Sequence, residues 1–486
     1  MIKTILFTYL IACFFLMLYG LNCHVMVHLF KRRFSHRRMD DKKILEDFYA
    51  EGDEHDLPFV TTQIPIYNEL NVAERIITAV AAFDYPAGRH EIQVLDDSTD
   101  ETRDIVARKV ETLRERGVSI EHITRSDRKG FKAGALRYGM ARAKGDLLAI
   151  FDADFVPTRD FLKKAVPYFV LDGGLGLVQA RWSHLNADKS LITKLQTIGI
   201  NGHFMVEQSA RNWNGLLMNF NGTAGILRKS AIQEAGNWQD DTLTEDMDLS
   251  YRMQLAGWKC RYLVDLMAPA EVPENINAFK SQQFRWAKGS IQTAIKLLPA
   301  VWRSEFSFFC KLQATFHMTH YMIHPLMAYL AIMAPILLIT TRIEIPATAF
   351  IMFAIVLLVA STGPSRLYWV AEKRVSEGLP GKMLLLPLLI SFGCGLAISN
   401  TRAVIEALLG KKSDFIRTPK HGNSEKKHYR SYINTFFVFE ILIGIWCLSG
   451  IIAYAGSGQH ILRPFLFLYA TGFIYVGFLS LFHRKR

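Results

Sequence analysis

Charge is almost absent from residues 2–30. That run exceeds the ~20 apolar residues needed to cross hydrocarbon, so it predicts a membrane span. A cleaved leader would have a shorter apolar core and a small-x-small site before Lys31, and neither is there. The pattern changes over residues 57–275, where short apolar runs alternate with amphipathic stretches. Residues 59–65 predict a strand, followed by the polar turn Tyr67-Asn68-Glu69. A helical period over 72–83 leads to a second strand at 92–95, which ends on Asp96-Asp97. A charged helix over 101–116 and a buried strand over 147–151 follow, the latter ending at Asp152. Strands alternating with helices predict an α/β domain with a mainly parallel sheet. Ligands of such sheets bind beyond the carboxyl ends of the strands, where both acidic clusters fall.

Beyond Trp286 the chain turns apolar again. Residues 306–320 are aromatic and basic and suit a helix lying in the interface. Spans are predicted over 321–340, 345–370, 432–455 and 461–482. Residues 384–409 are apolar early and amphipathic late. If that segment crossed, the basic stretch 411–430 would lie outside, against the positive-inside rule. It is therefore expected to be interfacial or re-entrant, leaving five spans, the N-terminus outside, and the catalytic domain and C-terminus in the cytoplasm. The expected organisation is a span (1–30), a basic linker (31–56), a catalytic domain (57–290), interfacial helices (291–320) and a membrane region (321–486).

Composition agrees with this layout. Half of the 486 residues are apolar and 12% are aromatic, greasier than an ordinary soluble chain. Net charge is +12, which fits nucleic acid or anionic lipid. Seven Lys or Arg between Lys31 and Lys43, just after the first span, favour lipid, and no nucleic acid polymer is expected as a partner. The six cysteines form no CxxC pair and read as small core residues.

Five clusters carry candidate chemistry. Asp152-Ala153-Asp154 offers hard carboxylate oxygens of the kind that hold Mg²⁺ or Mn²⁺ together with substrate phosphates; taken alone, a solvated turn explains the pair more readily. Asp97 lies where acids hold a base or ribose, although Ser98 or Thr99 before Glu101 also fits a helix cap. Residues 129–135, Lys-Gly-Phe-Lys-Ala-Gly-Ala, offer backbone amides and Lys132 to a diphosphate without matching a Walker pattern. Thr244-Glu245-Asp246 opens a helix, where a carboxylate is either dipole-stabilised or a held general base. Gln282-Gln283-Phe284-Arg285-Trp286 supplies a guanidinium for phosphate oxygens and an indole face for a sugar ring. An interfacial aromatic belt would explain Trp286 but not its Gln and Arg neighbours. A sixth segment, 415–420 with Phe415, Thr418 and Lys420, is a loop able to close over a diphosphate or simply a positive-inside loop.

As an ordered set, Asp97, Asp152 with Asp154, Thr244 to Asp246, and Gln282 to Trp286 resemble the D, DxD, TED, QxxRW series of processive family 2 glycosyltransferases. The runs at 63–69, 93–99, 132–136, 178–182 and 220–225 resemble the cellulose-synthase-like branch that makes mannan, glucomannan and xyloglucan backbones and has bacterial relatives. The resemblance implies a GT-A (Rossmann-like) catalytic domain with a mixed, mainly parallel sheet, joined to transmembrane and interfacial helices in a multi-pass protein of a bacterial inner membrane. It implies donor contacts from Pro65, Tyr67, Glu69, Asp97, Lys132, Asp152 and Arg285, and a Mg²⁺ or Mn²⁺ ion on Asp154 and Asp152. Asp246 would be the base, and Trp286, Gln282, Gly222, Thr223 and Glu245 would meet the acceptor. The loop with Phe415, Thr418 and Lys420 resembles the gating loop of the family. The implied reaction is inverting: UDP-glucose or GDP-mannose adds to a growing polysaccharide, a β-linked glucan or mannan that is exported. Transfer to a membrane lipid carrier is the alternative. Two family features are not expected in this chain, a cyclic-dinucleotide domain after the spans and a second span before the catalytic domain.

Overall fold

The computed structural model describes residues 2–52, 57–340, 347–375, 382–412, 436–453 and 462–483. Seven strands form one sheet: β1 (Val60–Ile66), β2 (His90–Asp96), β3 (Ile120–Thr124), β4 (Leu147–Ile150), β5 (Leu175–His184), β6 (Gly225–Arg228) and β7 (Lys259–Ala270). Their order is β3-β2-β1-β4-β6-β5-β7. The pairs β1–β2, β2–β3, β1–β4 and β5–β7 are parallel. Only β6 runs against its neighbours, β4 and β5. The sheet is thus mixed and mainly parallel, a GT-A-like arrangement.

Apolar periodicity explains the layers. The helix Ala73–Ala81 buries Ala73, Ile76, Ile77 and Val80, one stripe at i, i+3, i+4, i+7. Strand β4 is covered on both faces and buries all of its residues. Strand β1 carries Thr61, Thr62 and Gln63 inside the core, and each finds a partner: Thr61 Oγ1 donates to Glu91 Oε1 at 2.7 Å, Thr62 Oγ1 meets His90 Nε2 at 2.8 Å, and Gln63 Nε2 donates to Gln93 Oε1 at 2.9 Å. These bonds offset the desolvation of the buried polar groups. Neither Ser98 nor Thr99, the alternative candidates for a helix cap, caps the next helix: Ser98 Oγ accepts from Asn68 N and Thr99 N donates to Asn68 Oδ1. That stitches the ends of β1 and β2 together beside Asp97, and the helix Thr102–Glu115 begins with Asp100 accepting from Thr102 N.

The first helix runs unbroken from Ile2 to Glu51, about 75 Å at 1.5 Å per residue. Residues 31–51, expected as a linker, continue it because they contain no Gly or Pro and are rich in helix-tolerant charged side chains. The extension docks on the edge strand β7 through Arg38–Asp265 at 2.6 Å and Asp41–Arg261 at 2.5 Å. Phe30 stacks on Trp213 above it.

Among the described residues, four helices are long and apolar enough to cross a membrane: Ile2–Ala50, Phe308–Ile339, Ile351–Val375 and Arg463–Phe482. The segment 306–320, expected to lie in the interface, forms the helix Phe308–Thr319, joined by a 3-10 turn at His320–Met322 to the apolar helix Ile323–Thr340. Leu386–Gly395 and Ala397–Leu408 meet at a 46° bend, and Phe437–Ile452 is a shorter apolar helix. Phe415, Thr418 and Lys420 lie outside the described residues.

Candidate active site

A cleft of about 230 Å³ opens at the carboxyl ends of β1, β2 and β4. Its walls include Pro65, Tyr67, Glu69, Asp97, Lys132, Asp152, Asp154, Gly222, Glu245, Asp246, Gln282, Arg285 and Trp286. Groups spread over more than 220 residues of sequence thus share one cavity.

Asp97 follows β2 directly. Arg125 grips both of its oxygens, with Nε–Oδ1 at 2.9 Å and a second contact from Nη2 to Oδ2. Arg125 also donates to the carbonyls of Lys129 and Phe131. It therefore pins the loop that leads into the helix Phe131–Met140. Arg128 lies 3.2 Å above the ring of Tyr67. Sequence reasoning missed both arginines; their signal was the basic run just before Lys129.

Asp152 and Asp154 stand beyond β4. Lys132 Nζ donates to Asp152 Oδ1 at 2.6 Å and to Gly222 O at 2.8 Å. Burial alone would lower the pKa of Lys132, but Asp152, Glu245 and Asp246 outweigh it and hold it above the ordinary lysine value. Thr223 is fully buried, and its hydroxyl accepts from Asp152 N at 2.8 Å. Expected as an acceptor contact, it faces away from the cleft and instead fixes the Asp152 backbone. Arg75 pairs with Glu271 at 2.6 Å and donates to Asp154 O at 3.3 Å, bracing the same turn. Neither residue stood out in the sequence, where each looks like an ordinary surface charge.

The helix Glu245–Leu255 places Glu245 and Asp246 in its first turn. Burial, then the adjacent Glu245, push the Asp246 carboxyl up to about 7, against the pull of Lys132. Burial also raises Glu245. Gly222 has φ +79°, and a Cβ there would lie 2.8 Å from Asp246 Oδ2. Only glycine gives the Asp246 carboxyl this room.

The helix Ile276–Arg303 has two working faces. Gln282, Arg285 and Trp286 face the cleft. Burial lowers Arg285 to about 10, while Glu245 and Asp152 oppose the fall. Gln282 Oε1 is buried with no hydrogen-bond partner among the described residues. The indole of Trp286 lies 6.5 Å from that of Trp182, another wall residue. On the opposite face, Lys280 meets Glu440 at 2.5 Å and Lys288 meets Glu406 at 2.9 Å, with both lysines buried.

The donor set suits a hard divalent ion. The two acids offer only carboxylate oxygens, and no group of three or more His, Cys, Asp or Glu poised for a metal occurs among the described residues. An ion held here would complete its shell with phosphate oxygens and water.

A family model described as glycosyltransferase like family 2 matches residues 58–289. Glucomannan 4-beta-mannosyltransferase 1 of Oryza sativa subsp. japonica is 36% identical over 376 residues, covering 76% of this chain and 70% of the relative. Glucomannan 4-beta-mannosyltransferase 7 of Arabidopsis thaliana is 33% identical over 437 residues, covering 87% of this chain and 76% of the relative. Among solved structures, the mannosyltransferase PcManGT from Pyrobaculum calidifontis, in complex with GDP-Man and Mn2+, matches with a TM-score of 0.53 at 18% identity, over 80% of this chain and 99% of that one. At that identity the structural likeness speaks to the fold.

Proposed function

The chain belongs to glycosyltransferase family 2, in its cellulose-synthase-like branch, and from that premise we propose that it extends a β-linked mannan or glucomannan, taking mannose from GDP-mannose. The acidic pair, the base and the acceptor indole line one cleft, and that single observation carries the reading. The donor sugar is argued from the relatives, which are glucomannan mannosyltransferases.

Each residue then has a task. Arg125 presents the Asp97 carboxylate to the nucleoside, and the loop at 129–131 with Lys132 faces the diphosphate. Asp154 and Asp152 would hold a divalent ion, which supplies positive charge to the leaving group when bound. Lys132 and Arg285 add to that charge from the protein side. Trp286 stacks on the acceptor sugar, and Gln282 Oε1, a buried acceptor with no donor among the described residues, receives one of its hydroxyls. Asp246 removes the proton of the attacking hydroxyl. The acceptor oxygen bonds to the anomeric carbon, and the bond from that carbon to the diphosphate oxygen breaks. Its electron pair leaves with the nucleoside diphosphate. A single in-line displacement converts an α-linked donor into a β-linked product.

A polar cluster next to the cleft supports export through the membrane region. His203 Nδ1 meets Glu207 Oε2 at 3.0 Å, Tyr251 OH meets His317 Nδ1 at 2.7 Å, and Tyr321 OH donates to Gln283 Oε1 at 3.3 Å. The test is turnover of a panel of nucleotide sugars by the purified full chain in lipid nanodiscs, with linkage analysis. Long β-linked mannan is expected. A product consisting only of monoglycosylated lipid would refute polymerisation.

A further inference from the structure

His184 ends β5 two residues beyond Trp182, and both line the cleft. The strand period of two puts their side chains on one face, so His184 sits past the Trp182–Trp286 pair, on the acceptor side. Its other neighbours lead into the membrane region. His184 Nε2 lies 3.2 Å from Asn201 Oδ1, and Asn201 Nδ2 donates to Glu372 Oε1 at 2.7 Å. Glu372 belongs to the apolar helix Ala347–Val375 and is paired with Lys382 at 3.3 Å. Asn201 and Glu372 are both buried.

Donor and acceptor logic fixes the tautomer. A carboxylate only accepts, so the Asn201 amide must turn its NH₂ toward Glu372. Its oxygen then faces His184 and can only accept. His184 Nε2 must therefore carry the hydrogen, which leaves Nδ1 as a bare lone pair. Nδ1 makes no hydrogen bond to any described residue and is the only polar side-chain atom His184 has left for the cleft. Burial lowers the ring to about 4, so it is neutral and Nδ1 remains an acceptor at working pH.

We propose that His184 Nδ1 accepts a hydrogen bond from a hydroxyl of the acceptor glycan and so sets which glycans the cleft extends. The inference rests on the transferase reading above and deepens it: the acceptor is recognised by an O–H donor at this position. Asn201 and Glu372 are positioning residues that hold the lone pair in place.

Two isosteric substitutions separate this role from a structural one. The Oδ1 of His184→Asn stands near the Nδ1 position and keeps an acceptor there. His184→Gln reaches the Nε2 position and preserves the link to Asn201 but offers nothing at Nδ1. With defined manno-oligosaccharides as acceptors, His184→Gln should raise the acceptor KM about tenfold and His184→Asn less than about threefold, with the donor KM unchanged in both. A purely structural histidine gives the reverse order, and that result overturns the proposal, as do equal effects. A second measurement needs no fully active variant. Among monodeoxy acceptors, one position should weaken wild-type KM and have no effect in His184→Gln; if no position behaves so, the proposal falls. A wild-type protein that binds GDP-mannose but extends no glycan removes the underlying reading as well.

Discussion

Acidifying the medium through neutrality should silence transfer by protonating Asp246. An ordinary aspartate is almost wholly ionised at pH 6. Burial and then the Glu245 charge lift this one to about 7. As a base it must be ionised, so activity belongs to the alkaline side of that value. About one-tenth of the sites are competent at pH 6 and about nine-tenths at pH 8, which makes kcat/KM rise roughly tenfold across the interval. The pair Glu245–Asp246 titrates as a unit, and that supplies the control. Glu245→Gln removes the second of the two causes, so the midpoint of the remaining acid should move down and the fraction of plateau rate retained at pH 6 should rise. The assay is initial-rate transfer to an oligosaccharide between pH 5.5 and 9, at saturating donor and fixed divalent ion. A wild-type profile flat from pH 6 to 8, or a Glu245→Gln midpoint that does not fall, refutes the assignment of Asp246 as the base.

Three further outcomes are expected. Trp286→Ala should raise the acceptor KM at least about tenfold while donor affinity, measured by calorimetry, stays within about threefold. Gly222→Ala must force a Cβ to 2.8 Å from Asp246 Oδ2 at a φ of +79°, so kcat should fall at least about tenfold, with circular dichroism unchanged. Lys280→Met leaves the fully buried Glu440 without its lysine and should cost about 3–5 kcal/mol in thermal unfolding in detergent, most of it recovered by Lys280→Met with Glu440→Leu.

The acidic motifs could be read from sequence because each closes a strand or opens a helix, and the α/β alternation told where strand ends must gather. Asp97, Asp152, Asp154, Asp246 and Trp286 share the cleft as their order suggested. Thr223 entered only through the resemblance, which carries no backbone geometry; the chain after Gly222 turns its hydroxyl toward Asp152 N. Arg75, Arg125, His184 and Glu271 were invisible for a different reason. Their side-chain partners are 17 to 196 residues away, and an isolated charge carries no spacing signal until the sheet order is known. The unbroken first helix was hidden by its change from apolar to basic, which marks a change of side-chain polarity and not a change of backbone.

The helix Ile276–Arg303 has a mechanical consequence. Lys280, Phe284 and Lys288 recur every four residues: the lysines pair with Glu440 and Glu406 and Phe284 packs on the cluster that holds Ala403 and Val404, while Gln282, Arg285 and Trp286 reach into the cleft from the opposite side. With those helices in a bilayer, as proposed above, such a rod would convert a tilt of the bundle into rotation of an indole. On that proposal acyl-chain length, which sets hydrophobic thickness and hence helix tilt, should act on turnover, and reconstitution in short- and long-chain lipids should yield different rates from identical protein.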